Sequence, residues 1–208
     1  MKKLGKKVLI FDLDGVIFDS KENMRLSWNA VQDKYNLQHI KFEHYFKHIG
    51  LPFSKILKNL SIKTNINKIK KCYDEQSIKT LHKIKYFENS LNTLKFLKEK
   101  KFTLAIVTSK DIVRTEKFLK NNLKLFTFVE CHNKHIKGKP YPDQINKIIK
   151  KINIDKKDFV YIGDTNIDYM SAKNAKIDFI FAQWGYGHNY NYKYKCRSIQ
   201  EMKNILKI

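Results

Sequence analysis

The feature that most constrains this chain is a short apolar run, Lys7 to Phe11 (KVLIF), that stops abruptly at Asp12-Leu13-Asp14-Gly15. A β-branched stretch bounded by an acidic turn is expected to be a strand buried on both faces. Similar runs recur at Phe102 to Val107, Phe159 to Ile162 and Ile177 to Ala182, with Phe126 to Val129 as a weaker one. Between them lie apolar residues at helical spacing: Leu91, Leu94, Leu97; then Ile112, Phe118, Leu119; then Ile145, Ile148, Ile149, Ile152. This alternation predicts an α/β fold, a doubly wound parallel sheet of five main strands with a Rossmann-like core. In such a sheet the loops that follow the strands meet along one rim.

The stretch from Ser20 to Leu81 breaks the pattern. It offers several helical stripes and no clear strand: Trp28, Val31, Tyr35; then Ile56, Leu57, Leu60; then Ile66, Ile69, Tyr73. Gly50 and Pro52 mark a break between helices that could face the rim. The expected organisation is a core of residues 1–19 and 82–208 with an all-helical cap, residues 20–81, inserted in it. From Gln183 on, a tail holding Tyr186, Tyr190, Tyr192 and Tyr194 is expected to be loop, ending in a short helix around Ile199 to Leu206.

With 208 residues, 42% of them apolar, the chain can bury one core and a small accessory module. Its net charge of +22 raises the question of a nucleic-acid partner. Composition argues against that partner: Arg25, Arg114 and Arg197 are the arginines, and the lysines are scattered rather than gathered in a stripe. A positive field can still draw small phosphorylated molecules toward a cleft. Cys72, Cys131 and Cys196 have no zinc-site or redox-pair spacing, and a reducing cytoplasm is expected. Lys2, Lys3, Lys6 and Lys7 precede an apolar run that Asp12 and Asp14 interrupt, which argues against a signal peptide, and no stretch is long enough to span a bilayer. A monomer is the default expectation.

Four short segments carry possible chemistry, and each has a plain alternative. Asp12 and Asp14 could serve one metal and one phosphoryl group, or simply form a solvated turn. Thr108-Ser109 puts a hydroxyl at the rim, or supplies a helix cap, a role Asp111 could equally fill. Lys139, in Lys137-Gly138-Lys139-Pro140, is a point charge for phosphate and crowded carboxylates, in a chain rich in lysine. Asp164 and Asp168, in Gly163-Asp164-Thr165-Asn166-Ile167-Asp168, could bind a hard divalent cation or only cap the next helix.

All four are expected at strand C-terminal ends in one order, and that combination resembles the haloacid dehalogenase superfamily from Lys7 to about Ala182. Asp14 to Ser20 (DGVIFDS) and Lys139 to Asp143 (KPYPD) are similar to its phosphoglycolate phosphatase and β-phosphoglucomutase branch, and the helical insertion to its type 1 cap. The resemblance implies a magnesium-dependent phosphatase acting on a small phosphorylated metabolite. It implies Asp12 as nucleophile, Asp14 as general acid and base, and Thr108 and Lys139 as phosphate ligands. Mg²⁺ would be bound by Asp12, the Asp14 carbonyl and Asp164, with Asp168 a further or water-mediated ligand.

Asp14 argues against a dehalogenase, whose halide leaves without a proton. A phosphosugar mutase is the alternative, and a non-enzymatic basic binding module a remote one. The mutases place a cation shortly after the cap-loop glycine; if that glycine is Gly50, Phe53 stands there, with Lys47, His48 or Lys55 as substitutes. Ser109, His48 and Gly50 are the expected substrate contacts. Trp184-Gly185-Tyr186-Gly187 resembles a loop that this branch places near the rim.

Overall fold

The computed structural model describes residues 4–188 and 191–206; Lys2, Lys3 and Tyr190 lie outside the described residues. Its centre is a six-stranded sheet built from β1 (Val8–Phe11), β4 (Thr103–Thr108), β5 (Phe128–Cys131), β6 (Phe159–Gly163), β7 (Asp178–Ala182) and β8 (Lys195–Cys196). The order is β5-β4-β1-β6-β7-β8, and every pairing is parallel. The sixth strand is the departure from the sequence expectation. It spans two residues, too few to register as a period of two, and is held because Phe181 and Gln183 donate backbone N–H groups to Tyr194 and Cys196.

The strands alternate between two cores, as the side-chain period of a strand requires. Leu9, Phe11, Leu104, Ile106, Val160, Ile162 and Ile180 face one side, packed under α5 (Ser90–Glu99), α6 (Ile112–Leu119) and α9 (Met202–Ile205). Val8, Ile10, Ala105, Val107, Phe159, Tyr161 and Phe179 face the other, under α7 (Asp143–Ile152) and α8 (Asn166–Ala175). Both faces being covered explains the near-continuous apolar runs. Each such Leu or Ile contributes about 1.5–3 kcal/mol relative to exposure.

The chain leaves the core at β2 (Phe18–Asp19) and returns at β3 (Lys85–Tyr86), an antiparallel pair in register Phe18 with Tyr86 and Asp19 with Lys85. Between them lie α1 (Lys21–Tyr35), α2 (Phe42–Phe46), α3 (Phe53–Asn59) and α4 (Ile66–Lys79). These helices bury their own cluster, centred on Trp28, Leu57, Ile69 and Tyr73. Trp28 stacks on Tyr45 with ring centroids 4.8 Å apart and donates Nε1–H to Ile40 O at 2.9 Å. The five-residue α2 makes little more than one turn, too short for apolar residues to recur at i, i+3, i+4 and i+7, which is why the sequence pattern missed it. No described helix is long and apolar enough to cross a membrane.

Candidate active site

The sheet order reverses direction at β1, which pairs with β4 on one side and β6 on the other. The crevice beyond the carboxyl ends of those strands is where an open α/β sheet presents a ligand site. Asp12 follows β1, Thr108 ends β4, and Asp164 follows Gly163 at the end of β6. Asp12, Asp14, Thr108, Ser109, Gly50 and Lys139 line one cavity of about 70 Å³ between this crevice and the cap.

At its base Asp12, Asp164 and Asp168 are all buried, with carboxylate oxygens within 4.8 Å of one another. Lys139, 1% exposed, places Nζ 2.7 Å from Asp12 Oδ1 and 2.7 Å from Asp168 Oδ1. Lys137 stays outside, over the Tyr141 ring at 5.0 Å. Burial pushes the Asp12 carboxyl up to about 7; Lys139 opposes the rise, while Asp168 and Asp14 add to it. Burial also drives Asp164 well above the carboxylate range, with Asp168 and Asp12 reinforcing it. For Lys139 burial acts downward, but Asp12 and Asp168 outweigh it and hold the ammonium above its ordinary value.

The two acids after β6 have different surroundings. Asp168 is saturated: Oδ1 accepts from Lys139 Nζ and from Tyr161 OH at 3.0 Å, and Oδ2 accepts from Thr165 N at 3.0 Å and Thr165 Oγ1 at 2.6 Å. Thr165 and Asp168 form a reciprocal capping box that starts α8. Asp164 Oδ2 accepts the Tyr186 N–H at 2.7 Å, whereas its buried Oδ1 has no partner among the described residues. Three buried carboxylates facing one ammonium, with one oxygen orphaned, fit a hard divalent cation held by oxygen donors.

Glycines make the crevice possible. Gly15, at φ +87°, runs so close to Asp164 that a Cβ there would lie 2.2 Å from Oδ2. On the other side a Cβ on Gly185 would lie 2.4 Å from Gly15 O and 2.3 Å from Asp164 Cβ.

Above the carboxylates, Thr108 Oγ1 accepts the Lys110 N–H at 3.1 Å, which leaves the hydroxyl proton for an acceptor in the cavity. Asp111 caps α6 by accepting the Arg114 N–H at 3.0 Å. Asp14 Oδ1 accepts Ser20 Oγ at 2.6 Å, and Oδ2 lies 3.1 Å from Lys110 Nζ. Ser109, which lines the cavity, donates its hydroxyl to Gly50 O at 2.5 Å, tying core to cap.

His48 is not brought to the cavity. The turn after α2 leaves its Nδ1 3.4 Å from Asn59 Nδ2, on the exposed side of the cap. Phe53 lines the cavity, its ring 4.8 Å from that of Tyr73. Lys47 lies in a separate groove, and Lys55 sits over Tyr141 at 4.5 Å.

Some residues of the site escaped the sequence reasoning. Lys110 was within reach, since it directly follows Thr108-Ser109 at the rim. Ser20 and Tyr186 lie in segments that the resemblance marks, without their contacts being readable, while Arg114 and Tyr161 carry no signal in one sequence, because only the packed fold brings them to the site.

Fold and site together define a capped hydrolase on a Rossmann-like sheet. The chain belongs to the haloacid dehalogenase-like hydrolases, whose family model matches residues 9–182. It is 26% identical over 189 residues to the phosphoglycolate phosphatase of Aquifex aeolicus, covering 86% of each chain. It is 24% identical over 193 residues to the pyrophosphatase PpaX of Oceanobacillus iheyensis, covering 86% of this chain and 84% of that one. The phosphorylated carbohydrates phosphatase of Thermotoga maritima is 24% identical over 182 residues, covering 84% of each. The chain is therefore an enzyme of phosphatase type. Its fold is shared with a haloacid dehalogenase-like hydrolase of Streptococcus pneumoniae, at a TM-score of 0.83, 20% identity and coverage of 96% and 97%. A hydrolase of Pseudomonas syringae gives a TM-score of 0.84 at 21% identity, with coverage of 96% and 97%.

Proposed function

We propose that this enzyme is a magnesium-dependent phosphatase that hydrolyses a small phosphate monoester through a phosphorylated Asp12. The observation that carries this reading is the shared cavity, which Asp12, Asp14, Thr108 and Lys139 line together. A carboxylate oxygen of Asp12 attacks phosphorus as the ester P–O bond breaks, and Asp14 gives its proton to the departing oxygen. Water then attacks the acyl phosphate, losing a proton to Asp14, and orthophosphate leaves as Asp12 is restored. The Thr108 hydroxyl and Lys139 ammonium offset charge on the phosphoryl oxygens through both displacements.

Asp12, Asp164 and the Asp14 carbonyl would hold Mg²⁺, which supplies charge neutralisation between nucleophile and phosphate. The saturated oxygens of Asp168 favour a different task for that residue, fixing Lys139 against Asp12. Free, buried Cys72, Cys131 and Cys196 suit a reducing, cytoplasmic setting.

The mutase reading is weaker because Phe53 occupies the cap position and Lys47, His48 and Lys55 do not line the cavity. The test is release of phosphate from p-nitrophenyl phosphate with and without Mg²⁺, beside a panel of phosphorylated metabolites and Asp12→Asn as control. Turnover that needs Mg²⁺ and vanishes in the control is expected. No turnover, together with tight nucleic-acid binding, would replace the enzyme reading with that of a basic binding module.

A further inference from the structure

The cavity wall above Asp14 is rich in hydrogen-bond donors whose acceptors are few. Lys110 is 6% exposed, with Nζ 3.1 Å from Asp14 Oδ2 and 4.4 Å from the centre of the Phe118 ring. Asp14 is the acceptor its ammonium has among the described residues, although an ammonium has three protons to donate. Deeper in the wall, Tyr45 and Tyr73 share a single hydrogen bond of 2.9 Å, so one hydroxyl proton of that buried pair has no acceptor among the described residues. The rest of the cap side is apolar: Met24, Ile49, Leu51, Phe53 and Ile56.

The proposed chemistry disturbs this arrangement at one point. Asp14 can give a proton to the leaving oxygen only from its neutral form, and a neutral carboxyl no longer offsets the Lys110 ammonium 3.1 Å away. Lys110 would then be a buried ammonium without a counter-charge, which is steeply unfavourable unless something replaces the carboxylate. The apolar cap residues cannot do so. An anionic group on the leaving portion of the substrate can. The path from Lys110 through Asp14 to the leaving oxygen has two contacts, one of 3.1 Å and one of ordinary hydrogen-bond length, so the ammonium stands within about 6 Å of that oxygen.

We propose that Lys110 is a specificity residue that receives a carboxylate or a second phosphate carried one or two atoms beyond the scissile oxygen. This rests on the phosphatase reading and narrows it. Uncharged polyols are disfavoured, because they bring no negative charge to pair with the Lys110 ammonium. The names of two relatives, a phosphoglycolate phosphatase and a pyrophosphatase, describe leaving groups of the anionic kind.

Binding and turnover separate the two claims. Asp12→Asn protein, with Mg²⁺ present, is titrated calorimetrically with 2-phosphoglycolate, pyrophosphate and ethyl phosphate. At least one of the two anionic-leaving-group ligands is expected to bind tenfold or more tighter than ethyl phosphate. Adding Lys110→Met, or Lys110→Gln should the first fold poorly, is expected to bring the ratio within twofold, and Lys110→Arg to keep most of it. Equal binding of all three ligands, or a preference that survives loss of the lysine, would overturn the proposal. Wild-type turnover of p-nitrophenyl phosphate reports on the phosphatase reading alone. Its failure would remove that reading while the binding ratio still decides the role of Lys110.

Discussion

Lys139 Nζ lies 2.7 Å from Asp12 Oδ1 and 2.7 Å from Asp168 Oδ1, so a single buried ammonium is divided between Asp12, the proposed nucleophile, and an acid that caps α8. Removing the lysine leaves three buried carboxylates without a cation. Lys139→Met is expected to cost about 3–5 kcal/mol in stability, measured by urea unfolding in EDTA. Asp168→Asn keeps the shape but lets Lys139 move. It should lower kcat about 10–100-fold, the range for a group that acts through another, while Mg²⁺ affinity changes little. A loss of Mg²⁺ affinity as large as that of Asp164→Asn would make Asp168 a direct ligand.

The same acids predict how metal and pH act together. The Asp12 carboxyl sits at about 7 in the folded protein against 3.8 ordinarily, so between those values the folded chain holds the proton that the unfolded chain has lost. Its stabilising contribution is complete below the lower value and is lost as pH rises through the upper one. Metal-free protein should therefore lose stability at this site as pH rises from about 4 to about 7, and Mg²⁺ should restore it by replacing the proton. At about one hundred times its Kd the ion should raise Tm on the order of 5–10 °C at pH 8 and clearly less at pH 5.5. An equal shift at both pH values, read by differential scanning fluorimetry, would detach the metal from these carboxylates.

Asp14 divides the two displacements. With p-nitrophenyl phosphate the leaving group needs little help from an acid, so Asp14→Asn should still phosphorylate Asp12. Without the carboxylate to take a proton from water, the acyl phosphate should persist. A burst of nitrophenol near one equivalent is expected, followed by a steady rate about 10²–10⁴-fold below wild type. Rapid-quench kinetics reads both phases, and a linear trace with no burst would place Asp14 outside the second step.

The cap reaches the site through packing. Trp28 is fully buried and stacks on Tyr45, which lines the cavity. Trp28→Ala should cost about 3–5 kcal/mol and, by loosening Tyr45, should raise KM for the natural ester more than it lowers kcat for p-nitrophenyl phosphate. A pure stability loss with kinetics unchanged at low temperature would show that cap packing and the cavity are independent.

The parts legible in the sequence are those whose signal is local. Val8 to Phe11 could be read because a strand buried on both faces must be apolar throughout, and Asp12, Thr108 and Asp164 because the ends of β1, β4 and β6 meet at one switch point. His48 was misplaced because nearness to Gly50 along the chain says nothing about which way a turn directs a side chain. β8 and α2 are too short for a pattern to repeat, and the Lys110–Asp14 contact depends on the depth at which α6 begins.

Tyr186 shows what such non-local contacts do. Its backbone N–H holds Asp164 Oδ2 at 2.7 Å, its hydroxyl accepts the Ser20 N–H at 2.6 Å and donates to Asp19 Oδ1 at 2.9 Å, and its ring lies 5.2 Å from that of Phe46 in the cap. The loop thus joins Asp164, the proposed Mg²⁺ ligand, to the segment where the cap leaves the core. Tyr186→Phe removes only the hydroxyl, leaving the part-buried Ser20 N–H unpaired at a cost of about 1–3 kcal/mol, and should raise KM with Mg²⁺ affinity unchanged. Gly185→Ala is the converse, since its Cβ would drive into Asp164 Cβ and Gly15 O. It should weaken Mg²⁺ binding about tenfold or more while the cap contacts persist. Calorimetric titration of Mg²⁺ into both variants distinguishes the two ends of the loop, and matching losses would mean that cap and metal site respond as one unit.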